Sequence, residues 1–216
     1  MIRALLCACV LVLASPALAQ TVQLPPEIPL FPLPDVVLMP SVSRPFFVFE
    51  PRYLDMVADA VVGDRIIGMI ELRPGFEANY EGRPPVYDIG CAGEIVDFRE
   101  LPDGRYAIVL RGLVKFRVKS EDQNLTYRMA RVEAVEEPVT EAVRASLAAV
   151  RGRLATLISS PLVPLTETPS PDLSDETFIN ASALYLNMRG PLRQTLLELD
   201  GTLARGQKLV ELLEAR

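Results

Sequence analysis

IPLFPLPDVVLMPSVSRPFFVFEPRY, residues 28–53, decides how this chain can fold. Pro29, Pro32, Pro34, Pro40, Pro45 and Pro51 cut it into pieces too short for any helix. Yet Ile28, Leu30, Phe31 and Leu33, then Val36, Val37 and Leu38, then Phe46 to Phe49, are apolar enough to require burial. Extended segments that pair at sheet edges and bend at each proline meet both demands.

Working outward, PRYLDMVADAVVG (51–63) predicts a short helix, with Pro51 in its first turn and Gly63 just past its end. Tyr53, Leu54, Val57, Val61 and Val62 form the expected inward stripe, with Asp55 and Asp59 four apart on the other face. RIIGMIEL (65–72) reads as a buried strand, residues 73–87 as a Gly/Pro loop carrying Phe76, Tyr80 and Tyr87, and DIGCAGEIVDFREL (88–101) as a second strand. Leu101-Pro102-Asp103-Gly104 is a turn signal that joins it to RYAIVL (105–110) as a hairpin. Gly112 permits a break. A half-exposed strand follows, Val114, Phe116 and Val118 alternating with Lys115, Arg117 and Lys119. In YRMARVEAV (127–135) Arg128 and Arg131 are expected outside. Short strands in this number, with one helix inserted early, imply a curled antiparallel sheet or small barrel.

At Glu136-Glu137-Pro138 the period changes. Val139, Val143, Leu147, Val150, Leu154 and Leu157 recur at steps of three and four, an amphipathic helix with Pro138 in its first turn. A Pro/Ser/Thr linker (159–173) leads to Ser174-Asp175-Glu176, which caps a further helix, and Gly190-Pro191 and Asp200-Gly201 divide the rest. The chain thus reads as α+β, with a β domain over 20–136 and a helical bundle over 137–216 docked on it.

Residues 1–19 carry Arg3, an apolar run from Ala4 to Ala14 and an A-x-A site at Ala17-Leu18-Ala19, the pattern of a cleaved export signal. Export to the periplasm is the expectation, with no membrane contact after cleavage; an uncleaved N-terminal anchor is the alternative reading. Cys7 and Cys9 leave with that segment, so Cys91 stands alone in an apolar strand and is expected to be buried and inert. The formal charge of −6 gives no basic face for nucleic acid.

Histidine is absent, which removes His-activated nucleophiles, the usual zinc sites and imidazole proton shuttles. No serine lies three residues before any of Lys115, Lys119 or Lys208, so no Ser-Lys dyad motif is visible, and GTLARGQK (201–208) fails as a phosphate loop. The helical pair Asp55/Asp59 reads as a solvated face, and Glu94 and Asp97, three apart on a strand, would point to opposite faces. No catalytic, cofactor-binding or metal-binding residue is assigned, and no cofactor is expected. Glu50 is different. Between Phe46-Phe47-Val48-Phe49 and Pro51 its burial looks unavoidable, so it should accept from the first helical turn or from Arg52 or Arg111.

The run IPLFPLPDVVLMP…FFVFEPRYLDMV, with GDRIIGMIELRPG, YDIGCAGEIVDFRELPDGRYAIVLRGLVKFRV and YRMARVE, resembles the N-terminal substrate-binding (LON) domain of Lon proteases. It is most similar to stand-alone bacterial proteins built from this domain, and the tail, with MRGPLRQTLLELD, resembles the segment that follows it. The resemblance implies a PUA-like antiparallel β pseudo-barrel followed by helices. It also implies a non-catalytic module that binds polypeptide segments or a protein partner, without the family's ATPase and protease modules. Met39, Phe76 and Tyr80 are the candidate peptide contacts, and Glu50, Arg52 and Arg111 the candidate structural polar groups. The competing expectations are an envelope hydrolase using carboxylates or a metal without histidine, and a structural assembly protein of the envelope.

Overall fold

The computed structural model describes residues 22–122 and 125–215, so the export-signal segment lies outside the described residues. The proline-broken stretch becomes β1 (Glu27–Leu33), a loop, β2 (Ser43–Val48) and α1 (Pro51–Val62). Then come β3 (Ile66–Glu71), a 3-10 turn at Glu77–Asn79, β4 (Ile89–Glu100), β5 (Tyr106–Asp122) and β6 (Arg128–Val135). Four helices complete the chain: α2 (Glu141–Ile158), α3 (Asp175–Tyr185), α4 (Gly190–Glu198) and α5 (Gly201–Glu214). Ser174 caps α3 by accepting from the Thr177 amide, as its position before Asp175-Glu176 predicts. Among the described residues no helix is long and apolar enough to cross a membrane.

The sheet is mixed, which corrects the antiparallel expectation. Its strand order is β2-β5-β4-β3-β1-β6, and β1 runs parallel to β3 with Leu30 opposite Gly68. Parallel neighbours need a long crossover, and here β2 and α1 supply it. The 17-residue β5 also pairs with β6, so the ladder returns to a strand it already contains. Gly112 does not break β5. The strand runs on through a register shift at Ala92/Gly93, and a Cβ at Gly112 would stand 2.1 Å from the Met39 carbonyl oxygen. The glycine is there for the close approach of the 39–41 backbone, whose Ser41 amide donates to the Gly112 carbonyl.

One apolar cluster runs through both halves of the chain: Leu38, Met39, Met56, Ile67 and Leu110 share it with Leu147, Leu154, Ile179, Leu197 and Leu209. The segment between α2 and α3 is tied in as well, by a bridge between Leu165 and Leu186 and by the Thr166 amide donating to Tyr185.

Charges read as solvated turn out to sit inside this interface. Lys115 is 3% exposed and pairs with Glu137 at 2.7 Å, while its ammonium also donates to the Leu199 carbonyl. Arg205 is fully buried and donates to the Leu196 carbonyl, Asn180 and the same Glu137 oxygen. Glu137 is therefore the shared counter-ion of two buried cations. Helix α2 starts three residues later than Pro138 suggested, with Thr140 as its N-cap. Arg128 points inward too, donating to Glu121 and to the Pro84 carbonyl. On α1 the inward face is Tyr53, Met56, Val57 and Ala60, which leaves Val62 exposed.

Candidate functional site

Beside the β1–α1 segment lies an apolar cleft of about 560 Å³. One wall is β2 and the residues that lead from it into α1. Strand β2 is an edge strand, paired only to β5, and its side chains alternate. Phe46 and Val48 face the core, whereas Phe47 and Phe49 stay 67% and 64% exposed at the cleft. This corrects the expectation that Phe46 to Phe49 are all buried. The period-2 rule applied to an edge strand would have separated them.

The opposite wall is the 73–87 loop, from which Phe76 (44% exposed) and Tyr80 reach the same cleft. The loop is fastened to the start of α1 by Glu50. The Tyr80 hydroxyl donates to Glu50 Oε1 at 2.6 Å, and Arg52 donates to Glu50 Oε2 at 2.8 Å. Arg52 also donates to the Tyr80 carbonyl and lies over both the Tyr53 and Tyr80 rings. Burial, followed by the bond to Glu50, pushes the Tyr80 hydroxyl well above its ordinary value. Glu50 thus accepts from Arg52. It makes no side-chain cap to α1, and Arg111 pairs with Glu94 instead.

The floor is polar at one end. Asp35, in left-handed backbone geometry (φ 57°), accepts from the Gly190 amide at the start of α4. Beside it Glu71 is 2% exposed and its Oε2 has no hydrogen-bond partner. Both carboxylates crowd the same backbone, because a Cβ at Gly190 would lie 2.2 Å from Glu71 Oε1 and 2.6 Å from Asp35 Oδ1. Burial first, then the neighbouring Asp35, push the Glu71 carboxyl up to about 7, with Arg193 opposing.

Of the residues the sequence nominated as peptide contacts, Phe76 and Tyr80 meet in this cleft, while Met39 is fully buried in the core and does not line it. Its neighbours Val37 and Leu38 are buried with it, since the 36–40 loop folds inward over β5. Phe47, Phe49 and Glu71 carried no flag in the sequence. Cys91 is fully buried and its thiol is pushed up to about 12 by that burial. Asp59 accepts from the Tyr127 hydroxyl and Asp55 from Thr126, so that pair ties α1 to the residues just ahead of β6. Among the described residues no group of three His, Cys, Asp or Glu is placed to hold a metal ion.

Residues 27–215 match the family of the ATP-dependent protease La (LON) substrate-binding domain. The chain belongs to that family. The LON match takes in the helical region as well as the β part, in keeping with the core they share. The chain is 30% identical over 205 residues to the Lon protease of Trichlorobacter lovleyi, covering 90% of the chain and 24% of that relative. To Lon protease 2 of Myxococcus xanthus it is 31% identical over 125 residues, 58% of the chain and 15% of the relative. It therefore spans a quarter or less of either protease. The N-terminal domain of a Mycobacterium avium complex Lon protease has the same fold, at TM-score 0.64 and 15% identity over 87% of the chain and 98% of that domain. So does a Lon N-terminal domain protein from Xanthomonas campestris, at TM-score 0.58 and 23% identity over 86% and 97%.

Proposed function

We propose that this LON domain binds extended polypeptide segments, laying their apolar side chains in the cleft between β2 and the 73–87 loop. One observation carries the reading: Phe47, Phe49 and Phe76 are large, exposed aromatics from two separate segments that converge on one concavity. Rings left in water in this way mark a binding surface more often than a packing accident. The outer edge of β2 adds unpaired backbone donors and acceptors, which suit an extended chain. The domain acts as a non-catalytic module, since the polar groups of the rim, Glu50, Arg52 and Tyr80, are engaged with one another. The export pattern of residues 1–19 supports work in the cell envelope, with a protein or polypeptide as partner. The return of the ladder through β5 supports reading the β part as a PUA-like pseudo-barrel.

The test is fluorescence anisotropy with a labelled, permanently unfolded polypeptide, using wild type and the double variant Phe47→Ala/Phe49→Ala. Binding weakened about tenfold or more in the variant, with an unchanged melting temperature, is expected, because both rings are largely exposed before binding. Equal affinity of the two proteins would overturn the assignment of the cleft. A carboxylate hydrolase is the second reading, favoured only by the meeting of Asp35 and Glu71 at the cleft floor. Time-dependent breakdown of the bound polypeptide, abolished in Glu71→Gln, would decide for it.

A further inference from the structure

The charge lining the cleft is lopsided. Asp35, Glu50 and Glu71 are its carboxylates and Arg73 is its one cation. Glu50 is neutralised by Arg52, and Arg73 is engaged by Asp88 at 3.2 Å. That leaves Asp35 and Glu71 at the floor, with Arg193 of α4 as the nearby positive charge and Glu198 of the same helix adding a further negative one. Arg193 donates to the Asp35 backbone carbonyl, and Glu71 Oε2 is left buried without a partner at the base of a cavity. A buried carboxylate oxygen in that state is costly unless a donor reaches it. The same cleft is lined by the rings of Phe46, Phe47, Phe49 and Phe76, with Tyr80 already covered by Arg52. Aromatic walls beside two carboxylates that share a single nearby cation, Arg193, are the chemistry that attracts an alkylammonium or guanidinium group.

We propose that the cleft selects polypeptide segments carrying a lysine or arginine beside an apolar residue, the cationic head settling at Glu71 and Asp35 while its stem and its neighbour pack on the aromatic walls. The inference rests on the polypeptide reading of the cleft and narrows it. A long cationic side chain is suited to the task, because its methylenes cover apolar surface while its head reaches a distant charge. The groups that face Glu71 are Asp35 from the loop after β1, Arg193 and Glu198 from α4, and Tyr87 ahead of β4. Since burial and then Asp35 hold the Glu71 carboxyl at about 7, a cation that needs the ionised form binds better as the pH rises through that value.

The experiment uses three labelled, unstructured peptides that differ at one central position flanked by phenylalanines: lysine, norleucine or glutamate. With wild type at pH 8 the lysine peptide binds about tenfold tighter than the norleucine peptide, and the glutamate peptide binds weakest. From pH 6 to pH 8 the lysine peptide tightens roughly tenfold, following the ionised fraction of one carboxyl, and the norleucine peptide does not. In Glu71→Gln both the lysine preference and its pH dependence disappear. Equal binding of lysine and norleucine peptides to wild type overturns the proposal and leaves the polypeptide reading standing. So does a lysine preference that Glu71→Gln leaves intact. Failure of all three peptides to bind overturns the polypeptide reading itself.

Discussion

Replacing Glu137 with Gln should come close to unfolding this domain, although the residue neither lines the cleft nor lies in a regular element. Its Oε1 lies 2.7 Å from the Lys115 ammonium and 2.8 Å from the Arg205 guanidinium, and both cations are buried. Both cations sit on Oε1, so the amide oxygen of glutamine can still accept from them, but it carries no negative charge. Two buried positive charges then face each other with only neutral partners: that oxygen, the Leu196 and Leu199 carbonyls and Asn180 Oδ1. Breaking a buried ion pair by removing one member costs about 3–5 kcal/mol. That is a large share of the roughly 5–15 kcal/mol that holds a domain together. The melting temperature should fall by about 6–20 °C for a chain of this length. Urea denaturation followed by far-ultraviolet circular dichroism is the assay, because the chain has no tryptophan. Lys115→Met removes one of the two cations and leaves Glu137 and Arg205 as a pair, so it should cost less than Glu137→Gln. In the double variant it should recover at least about 1 kcal/mol of the loss through coupling between neighbours. A Glu137→Gln protein within about 1 kcal/mol of wild type, or strict additivity of the two substitutions, would refute the picture of one carboxylate balancing two cations.

Glu71 should make stability depend on pH. Its folded value is raised from 4.5 to about 7, so its contribution is complete below 4.5 and is lost as the pH rises through 7. Allowing for water in the cleft above it, the loss is about 2 kcal/mol, and Glu71→Gln should be spared it. Parallel denaturation midpoints for the two proteins from pH 5 to pH 8 would contradict this. Gly112→Ala drives a methyl group into the Met39 backbone and should destabilise by about 2 kcal/mol or more, read as a shift in urea midpoint. The Cys91 thiol, buried and held at about 12, should resist a thiol reagent in the native protein and react at once in urea; rapid native labelling would show that β4 opens. Glu50→Ala removes the acceptor shared by Arg52 and Tyr80 and should cost about 1–2 kcal/mol by thermal melting, with weaker binding of unfolded polypeptide as the loop wall loosens.

The elements that could be read from the sequence are those whose signal is local. Pro51 and Gly63 bracket α1, Pro102-Asp103-Gly104 turns β4 into β5, and Ser174 starts α3, each through backbone chemistry confined to a few residues. Pairing is not local. Nothing in Leu30 or Gly68 says that their strands run parallel, since that depends on how β2 and α1 fill the crossover between them. Charge placement failed for the same reason. The alternation of Val114, Lys115 and Phe116 describes a sheet with one wet face, but helices from residue 141 onward cover that face and bring Glu137 and the Leu199 carbonyl to Lys115. In the cleft, Tyr80 and Phe76 stood out because they are isolated aromatics in a Gly/Pro loop. Phe47 and Phe49 were hidden within an apolar run that looked like core, and Glu71 within a strand that looked wholly buried.

The placement of Glu71 and Asp35 ties the cleft to the helical region. Asp35 Oδ1 accepts the first free amide of α4, Gly190 leaves the room in which Glu71 Oε1 lies, and Pro191 itself lines the cleft. The start of a helix carries partial positive charge, and its Gly190 amide donates to Asp35 beside Glu71. A ligand cation arriving at Glu71 would compete with α4 for the same negative charge. The polar end of the cleft and the start of α4 thus share Asp35 and Glu71. The β part could not keep this floor without the helices, because the polar end of the cleft is built from both.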